Sequence, residues 1–261
     1  MRKSVPVLMA AVTAGLLLAG NASAAINLVT NGDFSTNGGN GQLGYNTTAA
    51  GWSVPNPGSP TYGSYTFVYN AGPGVSGTTA DTSGANGQYG NVALWGPGDG
   101  GGLNGLTLSP DGGAFLASDP VYQSGAITQT IAGGLSTGAW YHLTFYFAGA
   151  QQTGFSGATF DGWNVTLGGA AVQSTATLNV TNHGFTGWQM ADMYFMATGA
   201  NSTLSFLATG GPAATLPPFA LLDGVTLVAV PEPTTWALMI MGFGGIGAMV
   251  RTRRRQAALA A

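Results

Sequence analysis

Between residues 25 and 230 the chain contains no lysine, no arginine and no glutamate, and this absence limits what it can fold into more than any other feature. Solvent-facing helices are built from those residues, whereas the glycine, serine, threonine and asparagine that crowd this body are poor helix formers. The expectation is a body without helices. The same absence leaves eight aspartates, Asp33, Asp81, Asp99, Asp111, Asp119, Asp161, Asp192 and Asp223, without a fixed countercharge. Such a surface forms no Lys or Arg salt bridge and cannot neutralise phosphate, so nucleic acid is excluded as a partner. Anionic lipid repels it as well. The chain has no cysteine, which rules out disulfides and an amino-terminal lipidated cysteine, and stability has to come from packing. A body of this length suffices for one sizeable core.

Alternation takes the place of helix. In AWYHLTFYFAGA, residues 139–150, Tyr141, Leu143, Phe145 and Phe147 fall on one face and Trp140, His142, Thr144 and Tyr146 on the other. That is a strand with an apolar inner face. Trp163, Val165 and Leu167 of WNVTLGG repeat the pattern, as do Leu204 and Phe206 of STLSFLA. The last strand, LLDGVTLVAV, sets Leu222, Thr226 and Val228 against Asp223, Val225 and Leu227. Strands separated by Gly, Pro and Asn turns, with no helical crossovers, predict an all-β antiparallel sandwich. Residues 37–113 are looser, with glycine-dense pieces between shorter strands expected at 63–69 and 88–95. Trp52, Tyr62, Tyr65, Phe67, Tyr69, Tyr89 and Trp95 are too many aromatics for a solvated linker. This region is therefore expected to form long loops over one edge of the sandwich.

Both termini read as addresses. Arg2 and Lys3, the apolar run 7–19 and the small residues Ala22, Ser23 and Ala24 form a secretory signal over residues 1–24, with the mature chain starting at Ala25. At the other end, VPEPTTWALMIMGFGGIGAMVRTRRR carries no charge from Trp236 to Val250 and then Arg251, Arg253, Arg254 and Arg255. At about 1.5 Å per residue the uncharged run spans roughly 22 Å, short of the roughly 30 Å hydrocarbon core. Starting the span at Thr234 and letting Arg251 snorkel narrows the gap, and the arginines set the cytoplasmic side. Gly242, Gly244, Gly245 and Gly247 permit close approach of another helix. A transmembrane segment 234–250 with basic tail 251–255 thus suits a temporary stop better than a permanent anchor.

Catalytic chemistry has little to work with. The body offers two histidines besides its aspartates, and no G-x-S-x-G elbow fixes a nucleophile. His142 lies on a strand face and His183 in a turn. A pair of aspartates could cleave a glycoside, yet nothing selects a pair. The glycine run PGDGGG is followed by no lysine and is not a phosphate loop. Sugar binding has better candidates, because a flat ring stacks on the C–H face of a pyranose: Trp140, His142 and Tyr146 on the outward strand face, and Trp52 and Trp95 from the loops.

Several segments carry a resemblance. NLVTNGDFSTNGG, GAITQTIAGGLSTGAWYHLTFYFAGAQQTGFSG and PPFALLDGVTLVAVPEP together resemble the body of exported bacterial PEP-CTERM proteins, with a shape similar to carbohydrate-binding jelly rolls of the galactose-binding-like kind. Val230, Pro231-Glu232-Pro233, Trp236-Ala237 and the terminal arginines resemble the PEPxxWA form of the exosortase sorting signal. The resemblance implies a jelly-roll ectodomain over 25–229 between an N-terminal signal helix and a C-terminal transmembrane helix, with a sorting signal at 230–255. It implies an exosortase as processing partner, transient anchoring in the inner membrane, and a final place at the cell surface, outer membrane or extracellular matrix. Jelly rolls of this kind often hold a structural calcium, and the matching positions are Asn31, Asp33 and Asp223; Ser35 and Gly224 stand where such domains often have acidic residues. The expected role is structural or adhesive, with exopolysaccharide as a partner and no enzymatic activity. A dedicated non-catalytic carbohydrate-binding module is the alternative, and a surface glycoside hydrolase a third.

Overall fold

A computed structural model describes residues 26–55, 63–72, 77–99, 102–212, 216–231 and 233–259. The expected signal helix and its cleavage residues Ala22, Ala24 and Ala25 lie outside this range, as does Glu232.

Thirteen strands and one α-helix are present among these residues, besides a single 3-10 turn at Pro97–Asp99: β1 (Gly41–Gln42), β2 (Thr66–Asn70), β3 (Ala85–Gly87), β4 (Gly90–Val92), β5 (Ala114–Ser118), β6 (Ile127–Ile131), β7 (Trp140–Gln151), β8 (Thr159–Leu167), β9 (Gln173–Ser174), β10 (Leu178–Val180), β11 (Gln189–Met196), β12 (Ser202–Gly211), β13 (Pro218–Ala229) and α1 (Pro233–Leu259). Two antiparallel sheets face each other, a six-stranded one in the order β1-β2-β5-β13-β7-β11 and a second in the order β10-β8-β12-β6, with β9 beside β8. From β5 onward the chain passes from one sheet to the other at almost every connection. This is the jelly-roll form of the antiparallel sandwich, and the body has no α-helix among the described residues.

Alternation places the core. Tyr141, Leu143, Phe145 and Phe147 of β7 meet Trp163, Val165 and Leu167 of β8 and Leu204 and Phe206 of β12 between the sheets. Each such side chain contributes about 1.5–3 kcal/mol on burial. The Trp163 indole N–H donates to the Leu221 carbonyl of the facing sheet at 3.0 Å, so its one polar group is satisfied.

One face assignment is corrected. Strict alternation in β13 would put Leu222 with Thr226 and Val228, whereas the core takes Leu222 together with Val225 and Leu227. The register against β7 shifts between Asp223 and Thr226, and Gly224 there has φ +59°. A bulge with a left-handed glycine inserts one residue and inverts the parity of the rest of the strand. The amino-terminal segment docks beside this bulge. Val225 N–H donates to the Gly32 carbonyl at 3.0 Å and Leu28 N–H to the Leu227 carbonyl at 2.9 Å.

The glycine-rich region is also placed differently from the expectation. Its loops cover the outer face of the six-stranded sheet instead of an edge, forming a second apolar core. Ala80, Val92, Leu94 and Leu106 pack there on Phe67, Tyr69, Phe115 and Phe219. The strand expected at 88–95 shrinks to β4, half of a hairpin with β3. β5 is consequently buried on both faces.

After β13 comes α1, with Pro233 at its first helical position, where the missing N–H costs nothing. Leu238, Ile240, Phe243, Ile246 and Val250 are exposed along it. Among the described residues no helix is long and apolar enough to cross a membrane.

Candidate functional site

The loop layer leaves part of the outer sheet face open, over β7 and β11. Their antiparallel register pairs Trp140 with Met196, His142 with Tyr194, Thr144 with Asp192 and Tyr146 with Met190. Trp140 is 52% exposed, and Met190, Tyr194 and Met196 are exposed beside it. His142 and Tyr194 stack with centroids 4.5 Å apart and planes 8° from parallel. The His142 Nε2 lies 2.8 Å from Asp192 Oδ2, the imidazole N–H donating to the carboxylate. Thr144 and Thr226 hydroxyls meet at 2.6 Å. The result is an open strip of aromatic and methionine side chains fixed by cross-strand pairing, in which His142 and Tyr194 cover one face of each other's ring, bordered by carboxylate and hydroxyl groups.

Trp140, His142 and Tyr146 therefore share one face as the alternation predicted. Trp52 does not join them. It is 7% exposed, packs on Phe34 and Phe206 and donates its indole N–H to the Asn31 carbonyl at 2.9 Å. A tryptophan in a loop is here a core residue, because the loop folds back under the sheet edge. Trp95 is half-buried, stacked on His183 at 3.9 Å and tied to the Phe155 carbonyl at 2.9 Å, so one face of its ring is already covered. Tyr194 is not evident from the sequence because the outward face of β11 is mostly apolar, Met190, Tyr194 and Met196 around Asp192; that apolar outward face is the signal that points to it.

At the border between strip and loop layer stand three aspartates. Burial pushes the Asp223 carboxyl up to about 8, against the Ser109 and Gly224 hydrogen bonds that favour its anion, with Asp111 and Asp33 adding to the rise. Asp111 is raised by burial and by Asp33. Ser109 Oγ donates to Asp223 Oδ2, and Asp223 Oδ1 is buried without a partner. Asp111, from the glycine-rich loop, is an acidic residue that no sequence motif singles out. Asn31 is differently employed: its amide donates to the Thr36 and Ala50 carbonyls and its Oδ1 accepts from Thr36 N–H. That makes it a clamp for the turn, held at φ 52°. Among the described residues no three carboxylate or imidazole groups converge closely enough to form a ready cation cage. Asp33, Asp111 and Asp223 supply hard oxygens of the kind calcium takes, one of them orphaned and buried, without themselves forming a cage.

A cavity of about 610 Å³ opens at the sheet end where β5 and β7 finish. Tyr65, Tyr122, Phe155 and Leu216 form its apolar walls, and Gln152 and Asp119 are its polar groups. Neither histidine completes a catalytic set. His142 has Asp192, the only His–carboxylate pair among the described residues, while the serine hydroxyl at 2.8 Å, Ser156 Oγ, belongs to His183.

The sandwich carries no fixed cation and is followed by a helix with a basic end, an arrangement similar to that of exported proteins carrying a C-terminal sorting signal. In particular, the PEP-CTERM protein-sorting motif matches residues 229–255, which contain Val230, Pro231, Pro233, Trp236, Ala237 and the arginines. The motif implies export, processing by an exosortase and sorting to the surface. No curated protein matches the chain. Among solved structures, one described as "CBM4 structure and function" is 16% identical, covering 77% of this chain and 99% of its own, with a TM-score of 0.31. The N-terminal cellulose-binding domain of a Cellulomonas fimi β-1,4-glucanase C is 14% identical over 49% of this chain and 86% of its own, TM-score 0.28. An arabinose-bound MgGH51 α-L-arabinofuranosidase is 16% identical over 53% of this chain and 22% of its own, TM-score 0.32. These are loose likenesses, and the sandwich assignment rests on the chain's own sheets.

Proposed function

We propose that the mature sandwich is a non-enzymatic structural or adhesive protein of the cell surface or exopolysaccharide matrix that touches polysaccharide through the open strip on β7 and β11. The observation that carries this reading is the strip itself: the loop layer covers the outer sheet face up to a patch where Trp140 and Tyr194 are exposed and His142 and Tyr146 are half-buried beside them. The exposed Trp140 ring, the outer faces of the stacked His142–Tyr194 pair and the neighbouring methionines on a rigid sheet offer an extended contact surface for a glycan chain, and Asp192 and Thr144 accept and donate at its border. Residues 1–24 are removed on export, 25–229 form the ectodomain, and 234–250 enters the inner membrane until an exosortase cuts near Val230–Glu232. Calcium on Asp223, Asp33 and Asp111 would fix the last strand to the loop layer.

Retention of the protein on its host's exopolysaccharide tests the role. Loss of retention in Trp140→Ala and Tyr194→Ala supports it, and retention indifferent to both sinks it. For processing, the intact mass of the protein from host cells is expected to lack the four arginines, and a mass that keeps them reduces the tail to an anchor. The tyrosine-walled cavity favours a second reading, a dedicated carbohydrate-binding module, in which Tyr122→Ala instead of Trp140→Ala abolishes binding.

A further inference from the structure

A second group of buried oxygens lies on β8 beside Gly149 of β7, three residues along from the Tyr146 that pairs with Asp223. Thr159 and Asp161 are two residues apart on β8 and point to the same side; both are buried, while Phe160 between them is exposed. Neither oxygen of Asp161 has a hydrogen-bond partner, and neither has the Thr159 hydroxyl. Glycine on both flanks lets the backbones of β7 and β12 lie close against the carboxylate. A Cβ on Gly149 of β7 would stand 3.0 Å from Asp161 Oδ2, and one on Gly210 of β12 would stand 3.2 Å from Oδ1. Asp119, at the end of β5, is the second buried carboxylate here, with Oδ1 accepting Val121 N–H at 2.7 Å and Tyr122 N–H at 3.0 Å. Burial first, and Asp119 second, raise the Asp161 carboxyl well above its ordinary range.

Buried charges are paired or they coordinate a cation. No lysine or arginine exists between residues 25 and 230 to do the pairing. A proton alone leaves the Asp161 O–H without an acceptor and the Thr159 hydroxyl still unpartnered. A hard divalent cation engages all three orphaned oxygens at once, because calcium takes six to eight oxygen ligands and accepts hydroxyl, carbonyl and bidentate carboxylate donors.

We propose that Asp161, with Thr159 and Asp119, holds a buried calcium ion that ties β8 of one sheet to the end of β5 in the other. The remaining ligands are main-chain carbonyls and water. This site is independent of Asp223 and of the polysaccharide reading. It adds cross-sheet connection at the end where the tyrosine-walled cavity opens.

The test uses the full-length chain carrying Asp223→Asn, which silences the other candidate, stripped with chelator and titrated with calcium chloride. One calcium per chain is expected, with a rise in melting midpoint of about 5 °C at saturating ion. Adding Asp161→Asn, which preserves shape, removes both the bound ion and the rise. Thr159→Val, which leaves the carboxylates in place, weakens binding by about tenfold and guards against a folding defect in the first variant. An absence of binding in Asp223→Asn, or binding that survives Asp161→Asn unchanged, overturns the site.

Discussion

His142 and Tyr194 lie as register partners on β7 and β11 with their rings 4.5 Å apart and nearly parallel. Each ring immobilises the other, so a ligand meeting this face encounters rings already in place. The Tyr194→Ala and Trp140→Ala variants are each expected to weaken polysaccharide retention by roughly tenfold. Because these rings face solvent, stability changes by no more than about 1 kcal/mol. Paired pull-down and denaturant-unfolding measurements separate the two effects.

Trp52 is expected to behave in the opposite way. Its ring packs between Phe34 and Phe206 in the core, and Trp52→Ala should lower unfolding free energy by about 3–5 kcal/mol. Whatever fraction remains folded should still be retained on polysaccharide, which a binding assay normalised to folded protein will read.

Two glycines beside the bulge allow no side chain. Gly224 has φ +59°, and a Cβ there would lie 2.8 Å from the Tyr146 ring; a Cβ on Gly32 would fall on the Val225 carbonyl oxygen. Gly224→Ala is expected to cost about 1–3 kcal/mol from backbone strain and crowding together. Gly133→Ala, also at positive φ (+67°) but with nothing within 4 Å, should cost about 1 kcal/mol. Thermal melts of the pair isolate the packing component.

Buried acids give a pH dependence of definite sign. Burial raises Asp119 from 3.8 to about 6, even though the Val121 and Tyr122 amides favour its anion. The folded state therefore holds this proton more tightly than the unfolded chain, and stability present below pH 4 is lost as pH rises toward 6. For Asp119 that amounts to about 3 kcal/mol. Asp223, at about 8, extends the decline toward pH 8. Melting midpoints in chelator should fall from pH 4 to pH 8, and Asp119→Asn should make the acidic half of the curve shallower while Asp223 and Asp161 keep it falling.

Strands with one wet face are plain in the sequence, β7 above all, because alternation reports a difference between two environments. Where both sides of a strand are apolar that difference vanishes. β5 is covered by the core on one side and by the loop layer on the other, and β11 exposes methionines and a tyrosine; neither stands out. The β13 bulge inverts an otherwise correct alternation because Gly224, unremarkable in LLDGV, takes a left-handed conformation. Asp111 and the Asp119–Asp161 pair are unreadable for another reason: they are brought together by connections between sheets, and no local spacing encodes that.

The Val230 amide donates to the Trp140 carbonyl at 2.9 Å, and α1 begins at Pro233, so almost no tether separates the ring strip from the sorting helix. On the proposed reading, a bilayer or protease that grips that helix would crowd the Trp140 end of the strip, and cutting the helix away would unmask that end, arming it only after the molecule has reached its destination.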